Sequence, residues 1–299
     1  MRMPGRASHM AVIAAAALLL VLPPAYLIGV ERGNGGNEPV RILLKYLKAA
    51  YARDYKQAYR LISSQDRRLK TEKVYVRERG PFTGFTLEIA RKLSELIEVR
   101  PFQVNLDHHR ARIKAALKLP DANTVAPLVL DWDEERLNAL PISEQRRVLA
   151  SVDRLKRDSG LKMIDGEEEF VLVKENQGWK VSLDWAAGIQ VNFNATVPNT
   201  NLLEARPLIR ETLARPSELF TVAYKVKNRS LKDVFARVVH HVQPKALAEH
   251  LDIVECALLL PVRVLPGEER EYSTTYLVRG DLPEGTKELS VTYEFKVEP

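Results

Sequence analysis

In LSVTYEFKVE, residues 289–298, Leu289, Val291, Tyr293, Phe295 and Val297 alternate with Ser290, Thr292, Glu294, Lys296 and Glu298. Successive side chains of an extended chain point to opposite faces, so a period of two commits this stretch to a strand with one buried face. FTVAYKVKN, residues 220–228, repeats the pattern with Phe220, Val222, Tyr224 and Val226. Turn signals fall at Asn228-Arg229-Ser230, Pro266-Gly267 and Pro283-Glu284-Gly285. From Ile189 onward the pattern is strand-like throughout, and short strands at this spacing predict an immunoglobulin-like β-sandwich over residues 190–299. The chain has one cysteine, Cys256, so no internal disulfide joins the two sheets and no multi-cysteine zinc site forms within one chain.

The first half has a different period. Leu43, Leu47, Ala50 and Tyr51 share a helical face, and Tyr55, Ala58, Tyr59 and Ile62 share another after the polar break at Arg53-Asp54. TLEIARKLSELI, residues 86–97, predicts a third helix. RARIKAALKLP then alternates Ala111, Ile113, Ala115, Leu117 and Leu119 with basic residues, a half-buried strand. ISEQRRVLASVDRLKRDSG is a helix with Val148, Val152 and Leu155 on one face and Gly160 as its cap. EEFVLVKENQGWKVSLDW is a hairpin around Glu175-Asn176-Gln177-Gly178. Helices followed by an antiparallel sheet make this half an α+β domain.

At the N-terminus, Met10 to Val30 is a run of 21 residues without a charge, preceded by Arg2 and Arg6. A helix of that length spans the roughly 30 Å hydrocarbon layer. The expected organisation is a cytoplasmic segment 1–9, a transmembrane signal-anchor 10–30 with a cleaved signal as the alternative, a Gly/Asn linker 31–39, an α+β domain 40–186 and the sandwich 190–299. The expected topology is a single-pass membrane chain with its N-terminus inside and its body outside the cytoplasm. The net charge of +6 is spread along the chain, and no basic cluster interleaves with aromatics, so nucleic acid is not an expected partner. Asp131 and Asp133 flank Trp132 before a helix start and are read as a loop and N-cap cluster. His108 and His109 are adjacent, so strand geometry would point them to opposite faces, and they are read as surface residues. No catalytic constellation is visible, and the chain is not expected to be an enzyme.

YLKAAYARDYKQAYRLIS and VLVKENQGWKVSLDW, the latter ending in Trp185, give residues 40–186 a resemblance to the nuclear transport factor 2-like (cystatin-like) superfamily, which implies a cone-shaped fold. Enzymes, pockets and adaptors all occur on such folds, so the resemblance does not fix a function. The second half resembles the periplasmic domain of the single-span CtaG class of cytochrome c oxidase assembly proteins, which deliver copper. The carrying stretches are VNFNATVP, then VAYKVKNRSLKDVFARVVHHVQP with Val242 and Pro244, then IVECALLLPVRVLPGEE with Pro266-Gly267-Glu268, and YSTTYLVRGDLPEGTKELSVTYEF with Asp281-Leu282-Pro283. The family's copper segment reads Cys-Phe-Cys-Phe, two thiolates at alternate strand positions that can meet one soft Cu(I). Here the four positions are Cys256, Ala257, Leu258 and Leu259, so the second cysteine is replaced by Leu258.

The resemblance thus implies a membrane-anchored assembly factor of the copper-delivery class with a degenerate copper motif. Its implied partners are cytochrome oxidase subunits or other assembly factors. Cys256 is the candidate Cu(I) ligand, with His240, His241 or His250 as the soft partner. A homodimer would supply a second Cys256 by two-fold symmetry. Against this, a lone Cys among apolar residues is usually an inert small hydrophobe. The alternative function is a non-metal adaptor or scaffold acting through protein contacts outside the cytoplasm.

Overall fold

The computed structural model describes residues 37–124, 134–158 and 160–298. The helices are α1 (Asn37–Tyr51), α2 (Tyr55–Arg60), α3 (Ser64–Leu69), α4 (Glu72–Arg79), α5 (Gly84–Ser94), α6 (Glu134–Asn138) and α7 (Ile142–Arg157). The strands are β1 (Glu98–Leu106), β2 (Arg110–Pro120), β3 (Met163–Glu175), β4 (Gly178–Ser182), β5 (Ile189–Thr196), β6 (Leu203–Pro207) and β7 (Glu211–Ala214). They continue with β8 (Leu219–Asn228), β9 (Val234–Gln243), β10 (Leu251–Cys256), β11 (Val262–Val264), β12 (Glu269–Val278) and β13 (Glu288–Val297). No helix among the described residues is long and apolar enough to cross a membrane. The expected span 10–30 and the cluster of Asp131 and Asp133 lie outside the described residues. Asn37 to Pro39, expected to end the linker, open α1.

The chain divides into two compact units, residues up to Ser63 with Pro81–Ser182, and Ser64–Gly80 with Leu183–Pro299. The first unit carries a four-stranded antiparallel sheet in chain order, β1-β2-β3-β4. The period of two in β2 is its cause: Ala111, Ile113 and Ala115 are buried while Arg110, Arg112 and Lys114 are exposed. In α1 the buried Leu43, Tyr46 and Ala49 recur at helical spacing. Phe85, Ile89 and Leu93 of α5 pack with Leu137 and Val152. His108 and His109 lie in the exposed turn between β1 and β2 rather than within a strand.

The second unit has two sheets, β10-β12-β8-β6 and β11-β9-β13-β5-β7, which share one hydrophobic core. That architecture is compatible with the expected sandwich. Val222, Tyr224 and Val226 of β8 are fully buried, as are Val291 and Phe295 of β13. Each fully buried side chain of this size contributes on the order of 1.5–3 kcal/mol. The first and last strands, β5 and β13, run side by side in parallel.

The sequence expectation assigned residues 64–80 to the α+β domain and made the sandwich all-β. The structure instead groups this segment, helices α3 and α4, with the two sheets. Polar groups hold it there. Both oxygens of buried Asp66 accept main-chain N–H groups, from Leu183 and from Trp185, each at 2.9 Å. Lys70 donates to Glu78 at 2.5 Å, with side chains 2% and 0% exposed. The second oxygen of Glu78 accepts from the Thr212 hydroxyl at 2.5 Å. Arg79 pairs with Glu218, and the Lys70 ammonium lies 4.4 Å from the Trp185 ring centroid. Thr71 caps α4 at its start, and Gly80 ends it in the left-handed conformation at φ 64°. Trp185, expected to close the first domain, is buried in the second unit.

Candidate functional site

Cys256 is the last residue of β10, opposite Thr274 of β12. Opposed residues of an antiparallel pair have Cβ atoms roughly 4.5–5.5 Å apart, close enough for short polar side chains to meet. The Sγ is 3.2 Å from the Thr274 hydroxyl and 3.3 Å from the Tyr293 hydroxyl. Thr274 and Tyr293 are themselves hydrogen-bonded at 3.0 Å, and the Tyr276 hydroxyl donates to Tyr293 at 3.1 Å. Strands β10 and β12 belong to one sheet and β13 to the other, so this cluster ties the two sheets together through hydroxyls. Tyr224 meets Tyr293 edge to face, ring centroids 4.8 Å apart. Burial is the first cause that raises the pKa values of Tyr224, Tyr276 and Tyr293, which keeps these phenols neutral.

The strand reading of Cys256 to Leu259 needs a correction. β10 stops at Cys256, and residues 257–260 form a turn. The Leu258 N–H donates to the Cys256 Sγ at 3.3 Å, a short loop that curls the chain around the sulfur. Leu258 drops into the shared core at 2% exposure, while Leu259 and Leu260 face outward. The position that the resemblance assigns to a second thiolate is therefore filled by an apolar side chain that the core requires.

The histidines are placed differently from one another. His241, exposed on β9, has its Nε2 3.0 Å from Glu294. His250, at the end of the 3-10 turn Lys245–His250, has its Nδ1 3.1 Å from Asp281. Neither is brought to Cys256 by any hydrogen bond or ring contact. His240 packs on the tyrosines of the cluster, its ring 5.1 Å from Tyr293 and 5.8 Å from Tyr276. Burial, followed by the neighbouring His241, lowers its pKa, so the neutral ring is favoured. Its Nε2 is buried without a hydrogen-bond partner.

Cu(I) held by one chain would need two soft donors in reach of each other. The described residues contain no group of three or more His, Cys, Asp or Glu arranged to hold a metal. The Cys256 sulfur already meets two hydroxyls and a main-chain N–H, and Leu258 offers no second donor. The residues present do not fit a two-thiolate copper site within one chain. No sequence spacing signals the hydroxyl cluster, because Thr274 and Tyr293 lie 18 and 37 residues from Cys256.

Residues 164–296 match the family described as Cytochrome c oxidase assembly protein CtaG/Cox11. A curated relative from Sinorhizobium fredii, Cytochrome c oxidase assembly protein CtaG, is 29% identical over 112 residues, 36% of this chain and 56% of its own length. The protein of the same description from Rhizobium meliloti is 26% identical over 112 residues, 36% of this chain and 57% of its own. The chain thus spans little more than half of the curated relatives it matches. Among solved structures, a PapD-like domain of human CEP192 is 14% identical and covers 34% of this chain and 89% of its own. Its TM-score of 0.22 gives the likeness no weight. By sequence, then, the C-terminal part of this chain resembles the CtaG class of cytochrome c oxidase assembly proteins.

Proposed function

We propose that this chain acts in cytochrome c oxidase assembly as a scaffold that works through protein contacts, with its body outside the cytoplasm of a bacterium and its N-terminal run in the inner membrane. The match to the cytochrome c oxidase assembly family and to the two rhizobial relatives supports the assembly role. The uncharged run Met10 to Val30 supports the membrane placement. The four-stranded antiparallel sheet with its helices supports a cystatin-like reading of the first unit, and the two sheets with one core support an immunoglobulin-like second unit. We assign no catalysis to either.

The observation that carries the scaffold reading over copper delivery is Leu258. It is buried in the core at the position of the expected second cysteine. Copper delivery by this chain would have to recruit a soft donor beyond Cys256, from His240 or from the Cys256 of a second copy. A Cu(I) competition titration of the full chain in detergent under reducing conditions separates the two. The scaffold reading expects no stoichiometric Cu(I) binding, and no difference between the parent and Cys256→Ser. One Cu(I) per chain or per two chains, lost in Cys256→Ser, replaces that reading with copper handling.

A further inference from the structure

The two neighbours of β13 end at different places. Its parallel register with β5 stops at Glu294 opposite Thr196. Its antiparallel register with β9 continues to Val297 opposite Ala236, and the Glu298 N–H still donates to the Phe235 carbonyl at 2.8 Å. From Phe295 to Val297 the strand therefore has a partner on one side only. Main-chain polar groups of successive residues in such a strand point alternately to its two sides. Glu298 bonds toward β9, so the N–H and C=O of Val297 point toward the vacant side.

An open groove of ≈ 1010 Å³ lies against this end of β13, and its lining includes Pro198, Leu202, Leu231, Lys232, Lys296 and Val297. Leu231 is 95% exposed and Leu202 47%, an unusual pair to leave in water beside a free strand edge. The charges around it are matched within the chain: Arg229 with Glu204, Asp233 with Arg263, and Glu294 with His241. Among the described residues, Lys232 has no ion-pair partner.

We propose that this groove receives an extended segment of a partner protein, which adds as a short strand beside the C-terminal end of β13. Its main chain pairs with the free edge, an apolar side chain covers Leu231, and a carboxylate meets Lys232. Main-chain pairing at a sheet edge supplies affinity, and side-chain contacts at alternate positions supply selection. A second copy of this chain fits less well, because a two-fold contact presents the same patch twice and brings two Lys232 ammonium groups into one interface. The inference deepens the scaffold reading and rests on it. It is tested without copper, so its failure leaves the copper titration to decide separately.

The probe is a displayed library of random peptides of about eight residues, a usual strand length, selected on the immobilised full chain in detergent. Selected peptides are then measured by fluorescence anisotropy. The expected sequences alternate apolar residues and carry Asp or Glu. Leu231→Asp, at a side chain too exposed to affect folding, should weaken binding about tenfold, the scale of a central apolar anchor. Val297→Pro should weaken it comparably by removing an edge donor, and Lys232→Glu about threefold, as for an exposed ion pair. The proposal is overturned if no peptide is enriched, or if binding is indifferent to Leu231→Asp and Val297→Pro. It is also overturned if the full chain is a dimer that Leu231→Asp dissolves, since the occupant is then a second copy.

Discussion

The second unit buries two polar clusters of opposite chemistry. Around Cys256 the partners are neutral hydroxyls: a threonine and tyrosines whose protons burial holds in place. Around Glu78 the groups are ionic: Lys70, Arg79 and Glu218, sealed by Thr212 and Trp185. Hydroxyls can exchange donor and acceptor roles, so the neutral cluster tolerates the loss of a member. A buried ion left without its partner has no such recourse. The neutral cluster therefore joins two sheets that a large core already holds. The ionic one fixes a short, charged helix pair that has little apolar surface of its own.

Breaking the ionic cluster should have the largest effect. Glu78→Ala leaves Lys70 buried beside a vacancy and should cost about 3–5 kcal/mol in urea unfolding of the full chain. Replacing the pair together, Lys70→Met with Glu78→Leu, should restore most of that loss. In the neutral cluster, Tyr293→Phe removes the hydroxyl shared by Cys256, Thr274 and Tyr276 and should cost about 1–3 kcal/mol. A double substitution as costly as Glu78→Ala would sink the distinction.

Acid–base behaviour sharpens the comparison. Burial raises the Glu78 pKa above 4.5, and Lys70 and Arg79 pull it back only in part. The folded state then holds an extra proton above pH 4.5, so this carboxylate's contribution is full below that pH and is lost as pH rises through its folded value. Burial also pushes Glu218 upward, but Arg79, Lys70 and its hydrogen bonds overcome it and the net shift is downward. Its contribution is full above pH 4.5 and is lost as pH falls through its folded value. The cluster's stabilisation should therefore peak near pH 4.5, with Glu78→Gln flattening the neutral limb and Glu218→Gln the acid limb in unfolding measured across pH. His240, held below 6.5 by burial and His241, should add a smaller loss of stability as pH falls from 6.5 through its folded value, absent in His240→Phe. Smallest of all, Cys256→Ser keeps a hydrogen-bonding atom in place and should change stability by less than about 1 kcal/mol, within the range of a single neutral hydrogen bond.

How far these features could be read from sequence follows from their range along the chain. β2, β8 and β13 announce themselves by strict alternation, and the hairpin of β3 and β4 by Gly178, which takes φ 101°. β1 is not legible because Pro101 interrupts it and its alternation breaks at Phe102-Gln103, where the register with β2 shifts. α3 and α4 were missed because their contacts are charged side chains rather than an apolar stripe, so periodicity has nothing to detect. The site was legible only as a residue. Cys256 stood out as the lone thiol, but the turn that follows it depends on a sulfur-directed N–H bond, and its hydroxyl partners arrive from strands far along the chain.

The placement of residues 64–80 bears on how the protein is made. A ribosome delivers these helices before the whole of Pro81–Ser182, yet every strand of the unit they belong to follows that stretch. The segment must wait, unassembled, while more than a hundred further residues are synthesised. SQDRRLKTEKVYVRERG suits that interval, since its dense charge keeps the waiting chain hydrated and gives it little to aggregate with. The same connectivity rules out cutting the gene at one point into two self-sufficient halves. A fragment starting at Leu183 would lack the Glu78 carboxylate that receives the Thr212 hydroxyl and the Arg79 that pairs with Glu218, and one ending at Ser182 would carry a helix pair with nothing to receive it.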